Sequence, residues 1–97
     1  MKKITRDIIS IVAKNFELKK SLLVVSCKTS NKEVESLARQ LVLYALYCEF
    51  NFTQKGAAQE LNYKSHGSVG HAVRKIEERI DWDCLVSKTI KEIQKLK

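Results

Sequence analysis

Four small or polar side chains stand together where a helix is predicted to begin: Ser65, His66, Gly67 and Ser68. The serines and the histidine supply hydrogen-bond donors and acceptors, and Gly67 and Gly70 leave little bulk behind them. A helix with such a face near its N-terminus can read base edges in the major groove of DNA. A glycine inside a helix costs about 1 kcal/mol relative to alanine, and a partner that approaches the backbone closely explains that cost. The segment therefore predicts a surface for double-stranded DNA.

Basic residues flank this segment, with Lys64 before it and Arg74 and Lys75 after it. The free N–H groups at a helix N-terminus also favour a phosphate. The 97 residues hold 18 Lys and Arg against 11 Asp and Glu, and the net charge of +7 favours a polyanionic partner such as nucleic acid or a membrane surface. Residues 1–32 carry eight basic and two acidic side chains, whereas residues 61–79 carry four and two. Most of the excess therefore adds affinity rather than discrimination between bases.

The composition predicts a single all-α domain over residues 1–97. The chain has room for one small core, and 44% of its residues are hydrophobic, so it is expected to fold. Proline is absent and only three glycines occur, which favours long helices with short connections. A first helix is predicted from Thr5 as its N-cap, with Ile8, Val12 and Phe16 on its apolar face. Residues 19–26 are predicted to form a short helical turn.

A long central helix is predicted after the capping box formed by Ser30 and Glu33, in which each side chain satisfies a backbone N–H of the first turn. Its apolar residues recur at helical spacing over about five turns. These residues are Val34, Leu37, Ala38, Leu41, Val42, Ala45 and Cys48. Arg39 is expected on a side away from this stripe, and the other helices are expected to pack around the stripe itself.

Two shorter helices follow, joined by a turn of three or four residues. Thr53 is predicted to cap the first and Asn62 to end it in the left-handed conformation, and Ser65 is predicted to cap the second. The small residues of the first helix and the apolar stripe of the second are Ala57, Ala58, Leu61, Val69, Ala72, Val73, Ile76 and Ile80. This layout is typical of a helix-turn-helix. A last helix over residues 83–97 is predicted to open at Asp81 or Asp83.

The segment SHGSVGHAVRKIE over residues 65–77 resembles the signature in the C-terminal DNA-binding domain of the bacterial replication initiator DnaA. In that family an Asp-His-Thr-Thr-Val run is followed by His-Ala, a basic pair and Ile-Glu. The resemblance extends upstream through residues 12–16, Leu22 and Leu23, the loop 28–32 and residues 38–40, and so covers about residues 4–80. It implies a Trp-repressor-like fold of five to six helices that contains a helix-turn-helix.

The resemblance also implies roles for particular residues. Ser65, His66, Gly67 and Ser68 would read base edges in the major groove, and Arg39 would reach the adjacent minor groove. The residues that would contact phosphates are Lys28, Lys32, Lys64, His71, Arg74 and Lys75. Serine stands at position 65 and glycine at position 67, where the family has aspartate and threonine, and the arginine-rich loop is thinner here. With these departures we still expect the chain to dock on DNA as the family does, while the preferred DNA sequence stays open.

Other kinds of site find less support in the sequence. No phosphate-binding loop of the form G-x-x-x-x-G-K-[ST] occurs, so no nucleotide is expected, and no cofactor or catalytic set is indicated. His66 and His71 lie about 140° apart around a helix, which argues against a metal site. Cys48 is expected in the core, with Cys27 and Cys84 as free thiols. The aromatic residues Phe52, Tyr63 and Trp82 are expected to pack rather than to stack on bases.

The place and partners of the protein follow from the same features. No apolar run approaches the roughly 18 residues of a membrane span, so we expect a soluble, cytoplasmic, nucleoid-associated protein without a membrane partner. Its process would be the initiation of replication, or the regulation of transcription or of a mobile element. The alternative is a protein-interaction module that docks an acidic partner through the same basic face. Oligomeric state, and whether the chain is whole or a fragment, stay open.

Overall fold

The protein is mainly helical in the residues that its computed structural model describes, which are 2–19, 33–63 and 67–97. Within these ranges five α-helices and no strand occur. They are α1 (Lys3–Phe16), α2 (Glu33–Tyr44), α3 (Gln54–Glu60), α4 (Gly67–Arg79) and α5 (Cys84–Gln94). The prediction of a small all-α fold is confirmed. The predicted helical turn beyond residue 19, and the caps Ser30 and Ser65, lie outside the described residues.

The core forms around α2, as predicted. Helix α2 packs against α1 and α4, while α5 packs against α1 and α3 packs against α4. Side chains that are fully buried come from every helix, and among them are Ile8, Val12, Leu41, Val42, Leu61, Val69, Ile76, Val86 and Ile93. The apolar spacing that predicted α1, α4 and α5 therefore identified the faces that these helices bury.

Helix α1 begins earlier than the sequence predicts. Its first residue is Lys3, and Thr5 lies inside the helix, completely buried, so the prediction of Thr5 as N-cap is wrong. The Thr5 hydroxyl instead donates a hydrogen bond to the carboxylate of Glu60 at the end of α3. The backbone N–H of Lys2 donates to the same carboxylate oxygen over 3.0 Å. A buried threonine with a distant acceptor thus joins α1 to α3.

Helix α2 runs into a wider, π-helical turn over Ala45–Glu49. The N–H of Phe50 bonds to the carbonyl of Ala45 across five residues, which shifts the phase of the apolar stripe. Leu46 therefore turns into the core and Cys48 is exposed, so the prediction of a core cysteine is wrong. At the other end Val34, predicted on the apolar stripe, is 50% exposed.

Polar contacts tie α5 to the rest of the domain. Asp83 caps it by accepting hydrogen bonds from the N–H groups of Leu85 and Val86, which settles the choice between Asp81 and Asp83. Glu49 accepts a hydrogen bond from the ammonium of Lys97 over 2.7 Å, and this bond outweighs partial burial and holds the pKa of Glu49 below the usual range.

Among the described residues, no helix has the length and apolar character needed to cross a bilayer.

Candidate nucleic-acid interface

The short helix α3 and the longer helix α4 pack against each other. Thr53 caps α3, because its hydroxyl accepts the N–H of Gly56 over 2.9 Å. Asn62 ends α3 in the left-handed region with φ of 62°, and the N–H of Tyr63 returns to the carbonyl of Ala58 over 2.9 Å. Both the predicted cap and the predicted left-handed residue are confirmed. The turn therefore has a defined geometry up to Tyr63, four residues before α4 begins.

Small buried residues explain why the two helices lie so close. Ala57 and Ala58 of α3 are buried, and so are Val69, Ala72 and Ile76 of α4. Alanine side chains let two helix backbones approach, and the apolar stripe of α4 then fills the space against α2 and α3. The inner face of α4 is thus committed to the core, and its outer face is fixed in direction by that packing.

The outer face of α4 is exposed, as the sequence predicts. Gly67, Gly70, His71, Arg74 and Lys75 are all exposed, and Ser68 is half-buried. Residues 67, 71, 74 and 75 are spaced so that they share one side of the helix. The described part of the proposed base-reading and phosphate-binding set therefore lies on one surface, with its small residues at the N-terminal end and its charges further along.

Gly70 has no internal reason to be glycine. A Cβ atom added there would meet nothing within 4 Å, apart from the backbone of its own helix. A glycine in a helix interior costs about 1 kcal/mol relative to alanine. Neither the packing of this domain nor a positive φ accounts for that cost. The exposed stretch of helix at Gly70 thus has no packing contact in the described part of the chain that requires a glycine.

Arg39 is buried, contrary to the expectation that it faces away from the apolar stripe of α2. Only 7% of its surface is exposed, because Tyr63 lies against it. Its guanidinium lies close enough to the Tyr63 hydroxyl to act on it electrostatically. Burial raises the pKa of Tyr63, and the nearby charge and hydrogen bond of Arg39 offset part of that rise. Arg39 therefore supports the turn before α4 in this structure.

A notch of about 360 Å³ separates α2 from the start of α4. It brings Arg39 together with Ser68 and His71, three of the residues that the sequence singled out. Its other lining residues are Ser36, Gln40, Leu43 and Tyr63. Sequence reasoning missed Ser36 and Gln40, although their spacing of four places them on one face of α2. Tyr63 was expected only to pack, and it does pack against the core, but it also lines this notch.

The structure does not describe the rest of the predicted DNA-binding residues. Lys28, Lys32, Lys64, Ser65 and His66 are outside the described residues. Among the residues that the structure describes, no cluster of three or more His, Cys, Asp or Glu side chains could hold a metal ion. Cys48 and Cys84 are free thiols. The pKa of Cys48 is raised, first by partial burial and then by the carboxylates of Glu77 and Glu49.

Comparison with known proteins confirms the resemblance to the replication initiator. The chain is 32% identical over 88 residues to the chromosomal replication initiator protein DnaA of Campylobacter jejuni subsp. jejuni strain 81-176, which is 91% of this chain and 19% of that protein. The identity and both shares are the same for DnaA of Campylobacter jejuni subsp. doylei. No model of a known protein family matches the chain. The chain thus spans about a fifth of the length of these relatives.

Proposed function

We propose that the chain binds double-stranded DNA, with α3 and α4 as a helix-turn-helix and the N-terminal end of α4 in the major groove. The observation that carries this proposal is the exposed N-terminal part of α4, where Gly70 has no side chain. Gly70 is open to solvent, and His71, Arg74 and Lys75 stand beside it on the outer surface. A backbone without side chains in the way allows base edges to come close, and the adjacent cations suit phosphates.

The similarity to DnaA supports the same proposal and suggests its setting. The relatives are named as chromosomal replication initiators, and the chain matches a part of them. We therefore propose a role in replication initiation or in related control of transcription or a mobile element. In this proposal Ser65, His66, Gly67 and Ser68 read base edges. Contacts to phosphates come from Lys28, Lys32, Lys64, His71, Arg74 and Lys75.

Arg39 has a different place in the proposal from the one that the resemblance implies. In this structure a minor-groove contact would require the Arg39 side chain to leave Tyr63 and its buried position. We propose that Arg39 acts by holding the turn that sets the direction of α4. Its effect on DNA binding is then exerted through Tyr63 rather than through a groove.

Selection of bound duplexes from a random pool, at stated salt, tests the proposal directly. An enriched sequence motif is expected, and affinity for it should fall steeply with salt, by about 0.9 per phosphate contact on a log-log plot. Changing Arg74 and Lys75 to Gln should lower that slope. Lys14→Gln, which removes an exposed lysine of α1, outside the proposed helix-turn-helix, is the matched control.

Two results would contradict the proposal. One is a selection that enriches no sequence, together with a duplex affinity that does not change when Arg74 and Lys75 are replaced by Gln. The other is binding of an acidic protein through these same residues with no measurable affinity for duplex DNA. The second result would support the protein-interaction module instead.

A further inference from the structure

We infer that a groove at the junction of α4 and α5 binds single-stranded nucleic acid, with one base stacked on Trp82 and the following phosphates held by lysines of α5. The groove has a volume of about 600 Å³. Trp82 lines it at one end of α5, and Lys88, Lys91 and Lys95 line it along that helix. This site is separate from the proposed base-reading end of α4, because the 13 residues of α4 put about 20 Å between Gly67 and the end of the helix.

Trp82 is exposed and yet held in place. Its exposed fraction is 66%, although the sequence predicts a packing residue and a ring of this size is rarely left in water without a role. The guanidinium of Arg79 lies 5.1 Å from the ring centroid. Arg79 is itself bonded to Asp83 over 3.1 Å and to Glu33 over 3.4 Å. The indole is therefore oriented before any ligand arrives, so stacking on it requires little further ordering.

The three lysines form one row. Their spacing of three and four residues puts them on a single face of α5, over about 10 Å at 1.5 Å per residue. All three are exposed. Within the described part of the chain, none of their ammonium groups is in an ion pair. The row thus offers three uncommitted positive charges in line with the aromatic ring.

The carboxylates beside the groove are mostly engaged elsewhere. Asp83 accepts hydrogen bonds from Arg79 and from the first N–H groups of α5. Glu92 accepts from the side-chain amide of Asn15 over 2.6 Å. Of the acidic residues that line the groove, Asp81 alone has no hydrogen bond or ion pair with a described residue. Glu92 keeps its negative charge because the Asn15 amide is neutral, so the three lysines stand against the two unpaired carboxylates of Asp81 and Glu92, while Asp83 is paired with Arg79. The groove therefore keeps a small positive excess, which suits a polyanion.

The shape of the groove favours a single strand over a peptide or a duplex. An amphipathic helix needs an apolar stripe to dock on, and here a single ring is followed by charges. A single strand offers a planar base for the indole and evenly spaced phosphates for the lysines, which is how nonspecific single-strand sites are built. In a duplex the bases are stacked on one another and cannot reach Trp82. The occupant is therefore an unpaired nucleotide and the phosphates next to it.

Trp82 is the one tryptophan of the sequence, so its fluorescence reports on this groove alone. The full chain would be titrated with a short oligothymidylate, which is expected to quench the fluorescence to saturation. An abasic oligomer of the same length is the matched ligand control, since it carries the phosphates without a base to stack. Absence of quenching by the oligothymidylate, or equal quenching by the abasic oligomer, would overturn the inference.

Variants then separate the ring from the charges. With a labelled oligothymidylate, Trp82→Leu should lower affinity about fivefold or more. Changing Lys88, Lys91 and Lys95 to Gln should reduce the salt slope by about 2, at about 0.7 per phosphate on a single strand. Lys14→Gln, on the exposed side of α1, should change neither. Unchanged affinity in the tryptophan variant, with its circular dichroism intact, would overturn the stacking site.

The remaining controls keep this inference distinct from the proposed function. Changing Arg74 and Lys75 to Gln should weaken duplex binding and leave the quenching by the single strand in place. A chain that binds no duplex but shows the quenching would refute the duplex proposal only. Polyglutamate of matched charge is expected to bind weakly. If it competes as well as the oligothymidylate, the groove is a site for acidic peptides and the inference is wrong.

Discussion

The guanidinium of Arg39, on α2, lies beside the hydroxyl of Tyr63, three residues after α3 ends. Both partners line the notch that also contains Ser68 and His71 at the start of α4. A buried arginine is seldom tolerated without such a partner. A contact between α2 and a residue after α3 thus lies beside the start of α4.

If Arg39 acts by positioning the turn, Arg39→Lys and Tyr63→Phe should weaken duplex binding through the same contact. Tyr63→Phe removes the hydroxyl and Arg39→Lys replaces the planar guanidinium by a shorter ammonium, and each should lower the free energy of unfolding by about 1–2 kcal/mol. The double variant should bind DNA no more weakly than the worse single variant, which a double-mutant cycle measures. Tyr44→Phe is the matched control, since Tyr44 is a half-buried tyrosine outside the notch.

A direct minor-groove role gives a different pattern. Arg39→Lys would then reduce selectivity at an A/T-rich flank while Tyr63→Phe left that selectivity unchanged. Additive losses in the double variant would also contradict the positioning role. The two accounts of Arg39 are therefore separated by which variant changes selectivity and by whether the losses add.

The helices were predictable because their apolar spacing is strong and their caps are local. Thr53 and Asn62 act within their own turns, so residue type and position sufficed to assign them. Thr5 looked like a cap for the same reason, but its acceptor is Glu60, 55 residues further on. The π-helical turn after Tyr44 was not predictable, because no residue type indicates hydrogen bonds that span five residues. The prediction that Cys48 lies in the core was wrong for that reason.

The outer face of α4 followed from its periodicity, whereas the burial of Arg39 did not. Arg39 is covered by Tyr63, a residue of another element, and helical spacing carries no information about such contacts. Trp82 was expected to pack because of its apolar ring. It lies in the turn between two helices, where the guanidinium of Arg79 lies over the ring and the core does not, so most of the ring stays exposed. The roles of Ser65 and His66 at base edges stay predictions.

Gly70→Ala should make the domain more stable and a weaker DNA binder. The added methyl group meets no neighbouring element, and alanine is favoured in a helix by about 1 kcal/mol, so the melting temperature should rise by several degrees. The same methyl group would stand between the helix and the base edges, and Gly70→Leu should weaken binding further. Thermal unfolding and duplex affinity measure the two effects. Unchanged duplex affinity in both variants would remove the close-approach role of Gly70.

Glu60 should make stability depend on pH. Burial alone would raise its pKa, but the hydrogen bonds from Thr5 and the N–H of Lys2, with the charge of Lys2, outweigh burial and lower it. A carboxyl whose pKa is lowered on folding stabilises the folded state above its unfolded pKa of about 4.3, and this is lost as pH falls through the folded pKa. Glu60→Gln should therefore reduce unfolding free energy at neutral pH, and the difference from the parent chain should shrink below about pH 4.

Denaturant unfolding across that pH range checks the Glu60 prediction. Glu78→Gln, which changes an exposed carboxylate of α4 without a hydrogen bond to a described residue, is the control. Thr5→Val removes the buried donor and should lower the free energy of unfolding by about 1–3 kcal/mol at neutral pH. A gap between the parent chain and Glu60→Gln that stays constant with pH would show that the carboxylate gains nothing from its partners.

His66 and Lys75 should affect DNA binding in different ways if one reads bases and the other holds phosphates. His66→Ala is expected to cost about 1–3 kcal/mol on the preferred duplex and much less on random duplex. Lys75→Ala, at an exposed position of α4, should weaken both by the same factor and lower the salt slope by about 1. The measurement is the affinity of each variant for the preferred and the random duplex over a range of salt concentrations. Equal losses on the two duplexes for His66→Ala would remove its base-reading role and leave it, like Lys75, a contributor to affinity alone.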